Sequence, residues 1–64
     1  MSFDGAKRML RTSEAAEYLG LAESTLEKMR LAGEGPPFVR LAGRAVRYDR
    51  TALDAWIERK SAES

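Results

Sequence analysis

Cysteine and histidine are both absent from this sequence of 64 residues. Without cysteine there are no disulfides. Without either residue the side chains that dominate zinc sites are gone. A chain this short buries only roughly 60% of the surface it exposes when unfolded. Its core must therefore come from Leu, Val, Ile, Met, Phe, Tyr and Trp side chains, with neither staple nor metal to help. The same absences weigh against chemistry. The carboxylates are spread along solvent-facing helix positions, and no nucleophile–base pair or metal site can be assembled. The expectation is a protein that is not an enzyme and that takes no metal and no other cofactor. Long apolar runs are also missing, so neither a membrane span nor a secretion signal is expected. A soluble, cytoplasmic protein follows, and a lack of cysteine fits that reducing compartment. Nor is there a surplus of one charge. Eleven Lys and Arg against ten Asp and Glu leave a net +1, a balance that by itself argues weakly against a nucleic-acid partner.

What is present is punctuation. Residues 1–9 read as a flexible arm with a basic end at Lys7 and Arg8; Met9-Leu10-Arg11 reads as a short extended entry segment, and Leu10, dropping into the core, opens the folded part, 10–60. A first helix is expected from Thr12 or Ser13, either of which offers a hydroxyl cap. Ala15, Ala16 and Leu19 form its apolar stripe, with Tyr18 beside it. Gly20 suits a left-handed helix end. A second helix is expected from about Glu23 to Ala32, with Leu26 and Met29 inward at i, i+3 spacing and Leu21 filling the gap before it. Gly33 stops it, and Gly35-Pro36-Pro37 forbids continuation. Two strand-like runs follow, Phe38 to Leu41 and Ala45 to Tyr48, around a turn at Ala42-Gly43-Arg44. Asp49 then caps a third helix running to about Lys60, with Leu53, Trp56 and Ile57 inward. Residues 61–64 form a polar, frayed tail.

The order is helix, tight turn, helix, hairpin, helix. Two short helices joined by a three- or four-residue turn containing glycine form a helix-turn-helix, whose second helix can enter a major groove about 12 Å wide. The outward positions of that helix are Glu23, Ser24, Thr25, Glu27, Lys28 and Arg30. A bundle with a solvated face would share this pattern, and the helix pair alone leaves the two readings level. The hairpin tips the balance towards DNA. Arg40 and Arg47 are expected outward on its strands, Arg44 at the tip and Arg50 just beyond. Against the single Asp49 these four arginines give a local +3. Arginine's rigid fork suits phosphate and narrow grooves, so a backbone-contacting wing is preferred to an incidentally basic hairpin. One duplex-shaped surface requires all four to face the same way as the outer side of the second helix.

The second helix is less clear, because its charges sum to zero. Glu23 is either a specificity element that accepts from a cytosine amino group or, with fewer assumptions, an acid favoured by the helix dipole. Ser24 and Thr25 either contact phosphate or cap the helix, since Ala22 at the expected cap has no side-chain acceptor. Trp56 invites a base-stacking role, but its spacing with Leu53 and Ile57 favours the core. Pro36-Pro37 reads as a rigid corner that aims the wing, its isomer open.

The run from about Leu10 to Lys60 resembles the AlpA and excisionase-like family of small MerR-related winged-helix proteins. The resemblance is carried by "SEAAEYLG", then "STL", then "GPPFVRLAGRAVRY", then "LDAWIE" in that order. It implies a mainly α fold with a small β-hairpin, the winged helix-turn-helix: helix-turn-helix, two-stranded wing, C-terminal helix. By matching position, Ser24, Thr25, Lys28 and Arg30 belong to the recognition helix, Arg44 to the wing tip, and Arg40 and Arg47 to its flanks. The chain departs from the family at Ala22 and Glu23, where serine or a basic residue is common.

The implied function is sequence-specific binding of double-stranded DNA of a mobile element, as an excisionase (a recombination directionality factor) or an AlpA-like transcriptional regulator. Such a protein is expected to be nucleoid-associated, to be a monomer in solution, and to self-associate cooperatively on direct repeats while bending DNA. A site-specific integrase is a candidate partner. Effector sensing of the full MerR kind is not expected. The competing class is a winged-helix protein-interaction module, a terminase-type or antitoxin-like adaptor with weak or no DNA binding. The neutral second helix favours it, and the arginine-rich hairpin opposes it.

Overall fold

The computed structural model describes residues 8–63. Its elements are β1 (Met9–Leu10), α1 (Thr12–Leu19), α2 (Glu23–Ala32), β2 (Val39–Arg40), β3 (Val46–Asp49) and α3 (Arg50–Glu63). This is a winged helix-turn-helix, mostly helical with one small antiparallel sheet in the order β1-β3-β2.

Both short helices end in the same way. Gly20 and Gly33 sit at φ 75° and 72°, a region that costs little only without a Cβ. At each the chain folds back: Gly20 and Leu21 donate to the Glu17 and Ala16 carbonyls, and Gly33 and Glu34 to those of Arg30 and Met29. This pair of hydrogen bonds closes a helix and turns the chain sharply. The start of α1 differs from expectation. Neither Thr12 nor Ser13 is its cap, because the extended residue before the first turn is Arg11, whose N–H donates to Glu14 Oε1 at 2.8 Å. The Thr12 hydroxyl is engaged elsewhere, accepting from Arg30.

The core joins Leu10, Ala15, Ala16, Leu26, Tyr48 and Leu53, with Leu19, Phe38 and Val46 packed against it. It lies between the helix pair, the inner face of the sheet and the first turns of α3. Leu10 enters it as expected, and Met9 and Leu10 also pair with Asp49 and Tyr48. The extended entry segment is thus a strand, which takes Met9 out of the arm and into the sheet; residues 1–7 of that arm, with Lys7, lie outside the described residues.

Asp49 caps α3 as expected, its Oδ1 accepting from the Thr51 N–H at 2.9 Å. Beyond that the helix departs from the forecast. It runs past Lys60 to Glu63, since Ser61-Ala62-Glu63 contains neither glycine nor proline to stop it; Ser64 lies outside the described residues. Only Leu53 of its expected inner face is fully buried, while Trp56 is half-buried and Ile57 exposed. A helix of 14 residues outruns a core this small. Neither Pro36 nor Pro37 follows a cis peptide bond.

Candidate nucleic-acid interface

The tight turn after Gly20 sets α2 against α1, and the fully buried Leu26 anchors it. Of the six outward residues expected on α2, five are exposed: Glu23, Ser24, Thr25, Glu27 and Lys28. No side chain caps the start of α2, so Ser24 and Thr25 are not its caps and their hydroxyls face solvent. Leu31 joins this surface at 83% exposure, a residue the sequence reading passed over. Its spacing signalled this, because Ser24, Lys28 and Leu31 follow one another at i, i+4, i+7 along one side.

Arg30 does not belong to that surface. It is half-buried, and its Nη1 donates to Thr12 Oγ1 at 3.2 Å and to the Tyr48 hydroxyl at 3.3 Å. Its guanidinium also stands 5.8 Å from the centroid of the Phe38 ring. The side chain is a strut that ties α2 to α1 and β3 and satisfies the hydroxyl of the fully buried Tyr48. With Arg30 turned inward, the outward charges of α2 are Glu23, Glu27 and Lys28, a net −1.

The hairpin carries the largest correction. Its register pairs Val39 with Arg47 and Arg40 with Val46. Residues directly opposed across an antiparallel pair share a face, so Arg40 lies on the side of Phe38, Val46 and Tyr48, and Arg47 lies on the other with Val39. The expectation that both point outward together is wrong. Val39 and Leu41, at 41% and 49% exposure, face solvent instead of the core. The reason is size. A one-residue shift exchanges the faces of a strand, and burying the Phe38 ring removes more apolar surface from water than burying Val39 and Leu41 in part.

The four hairpin arginines therefore do not form one flank. Arg40 is exposed on the side turned towards α2, its guanidinium 5.8 Å from the Phe38 centroid. Arg44 is exposed in the turn, where the Leu41 N–H donates to Ala45 and the Ala45 N–H to Ala42. Arg47 is half-buried on the far side, with Nη1 donating to the Val46 carbonyl at 2.8 Å. Arg50 opens α3, close enough to Tyr18 of α1 for its charge to be felt there. Tyr18 donates to Asp54 Oδ1, and that hydrogen bond is the first reason its hydroxyl titrates above the usual value; desolvation and the Asp54 charge add to it, and Arg50 opposes it. Arg50 is exposed on the first turn of α3, beyond the hairpin. Among the described residues, none of the four arginines is in an ion pair; the acid beside them, Asp49, pairs instead with Arg8 at 3.6 Å.

A second helix beside a two-stranded wing, with exposed arginines in the wing's turn and on its first strand, is the arrangement of a winged helix-turn-helix. The model of the helix-turn-helix domain family matches residues 9–61, and the chain belongs to that family. No curated protein matches it. Among the described residues no helix is long and apolar enough to cross a membrane, and no cluster of acidic side chains is arranged to hold a metal ion.

Proposed function

We propose that this chain binds double-stranded DNA of a mobile element in a sequence-specific manner, as an excisionase or an AlpA-like transcriptional regulator, and carries out no chemistry of its own. The observation that supports the DNA reading is the Phe38 ring, on which Arg30 of α2 and Arg40 of the wing converge, with Arg40 and Arg44 both exposed. In this reading Ser24, Thr25 and Lys28 face the major groove, and Arg40 and Arg44 meet the flanking backbone. The AlpA and excisionase-like motifs, MerR-related as they look, support the finer role; so does the small size of the module. One small domain covers only roughly 600–1,000 Å² of DNA interface, so copies lined up on direct repeats gain avidity. The protein is a monomer in free solution and cytoplasmic, associates with itself on DNA, bends it, and takes an integrase as partner where excision is the role.

The test is protection mapping and gel shift on the element's attachment site and on its own promoter, at low and moderate salt. Cooperative protection of repeated sites is expected, with a slope of log affinity against log salt of roughly −2 for each bound copy, from the two phosphate contacts of Arg40 and Arg44. One isolated, non-cooperative footprint removes the assembly model, and no shift at low salt removes DNA binding.

A second reading has its own support. The outward face of α2 is net −1 and ends in the exposed Leu31, and the far side of the wing shows Val39 and Leu41. These features suit a protein-interaction module of the terminase or antitoxin-adaptor kind, and the same gel shift decides between the two.

A further inference from the structure

Phe38 stands immediately before β2, where the wing leaves the body of the domain. Two guanidinium groups converge on its ring, Arg30 from α2 and Arg40 from β2, each with Cζ 5.8 Å from the centroid. That is inside the reach of about 6 Å over which a ring's negative face attracts a cation. The ring is well fixed. It is half-buried, packs on the core, and lies 6.1 Å from the Tyr48 ring at 47°. The two cations differ in their other contacts. The N–H groups of Arg30 are directed at Thr12 and Tyr48. Arg40 is exposed and, among the described residues, its guanidinium makes no hydrogen bond or ion pair, so the donors of its fork are open.

We propose that Phe38 is a positioning residue, holding the Arg40 guanidinium on the helix-facing side of the wing so that its free N–H groups meet a backbone phosphate bordering the groove that α2 enters. This rests on the DNA-binding reading above. A free arginine side chain samples many rotamers, and ordering it on binding lowers affinity. A ring that narrows those rotamers beforehand removes part of that cost. It does so without occupying the fork, because the ring meets the delocalised cation and leaves the donors in place. Since Arg30 lies against the same ring, the position of Arg40 is referred to the recognition helix and not to the wing alone. Arg44 in the turn has no such support, and Arg47 faces away.

The experiment uses the full chain and a fluorescein-labelled duplex of mixed sequence, titrated at three salt concentrations. Arg40→Ala is expected to lower the magnitude of the salt slope by about 1. Phe38→Leu keeps every charge, so it leaves the slope unchanged while weakening binding about two- to fivefold, the worth of an exposed cation–ring contact. Phe38→Trp restores the affinity. In an Arg40→Ala background Phe38→Leu has no further effect, because the two act as one unit. Additive losses, or an unchanged slope for Arg40→Ala, overturn the proposal. Should Phe38→Leu fold poorly, the unmodified protein still decides. In the free protein the Arg40 Nε–H is expected to show a higher NMR order parameter than that of Arg44, and equal mobility overturns the proposal. If Arg44→Ala weakens binding and Arg40→Ala does not, DNA binding stands and this inference falls. If the unmodified protein leaves the duplex unbound at low salt, the reading beneath it falls as well.

Discussion

On the proposed function, the second helix and the wing meet one partner, the duplex, with opposite means. Outward on α2 are two carboxylates, one lysine, two hydroxyls and a leucine, from Glu23 to Leu31. Phosphate repels a face that is net −1. On the wing, Arg40 and Arg44 are exposed and free of acids, and the nearby Asp49 is held by Arg8. Attraction to the duplex, which is electrostatic and indifferent to sequence, must come from the wing. On the same proposal discrimination falls to α2, whose short polar side chains and single lysine suit base edges. The position of Arg30 sharpens this division, because the one cation that would have balanced α2 is used to hold the helix in place.

The comparison breaks most completely if α2 is lost. Leu26 is fully buried, and Leu26→Ala is expected to cost about 2–5 kcal/mol. A domain of 64 residues has only about 3–10 kcal/mol in all, so chemical denaturation should find the variant largely unfolded and DNA binding gone. Leu31→Ala, five residues along the same helix but 83% exposed, should stay within about 0.5 kcal/mol of the parent.

Next in size is Lys28→Ala. If Lys28 reads a base, binding falls by about 1–3 kcal/mol at one position of the preferred site and little elsewhere, which selection from a randomised duplex pool will show. A uniform loss with a smaller salt slope makes Lys28 a phosphate contact and ends the division between the two surfaces. Arg44→Ala should do what Lys28→Ala does not, weakening binding to all sequences alike and reducing the salt slope by about 1. An unchanged slope takes the turn out of the contact surface. Glu27→Gln removes a repelling carboxylate and should raise affinity for every duplex slightly, with the gain fading as salt screens it; a loss confined to one site variant would make Glu27 a reader of cytosine.

The smallest effect lies away from both surfaces. The Tyr18 hydroxyl titrates above its ordinary value of 10.0, first because it donates to Asp54. The folded state therefore holds this proton more tightly than the unfolded chain. Its contribution to stability is complete below about pH 10 and fades as pH rises through the folded value. Thermal melts of Tyr18→Phe should lose that part of the alkaline slope and keep the same duplex affinity at neutral pH.

The residues differ in how much of this they announced. Gly20 and Gly33 marked the helix ends because a left-handed backbone position is a local need that few other residues meet. Leu26, Leu53 and the Asp49 cap were legible for the same reason: a period of 3.6 residues or a capping carboxylate acts within one helix. Trp56 and Ile57 were over-assigned to the core, because periodicity tells which side of a helix is apolar and not how far the rest of the domain extends beneath it. Arg30 carried no visible signal, being one more cation on an amphipathic helix; Thr12 and Tyr48, each 18 residues away, give it partners. In the hairpin, Phe38 to Leu41 alternates equally well in either register, and the pattern alone could not say whether phenylalanine or the two aliphatic residues turn inward.

Local chemistry, written directly in the chain, determined the number and order of helices, the two stops, the capped third helix, the hairpin and the concentration of arginine within it. Tertiary packing decided which arginines remain available. It turned Arg30 inward, put Arg40 and Arg47 on opposite faces, and paired Met9 and Leu10 with β3. Short strands tolerate two registers of similar local energy, and the choice falls to whichever buries the larger side chain against residues distant in sequence.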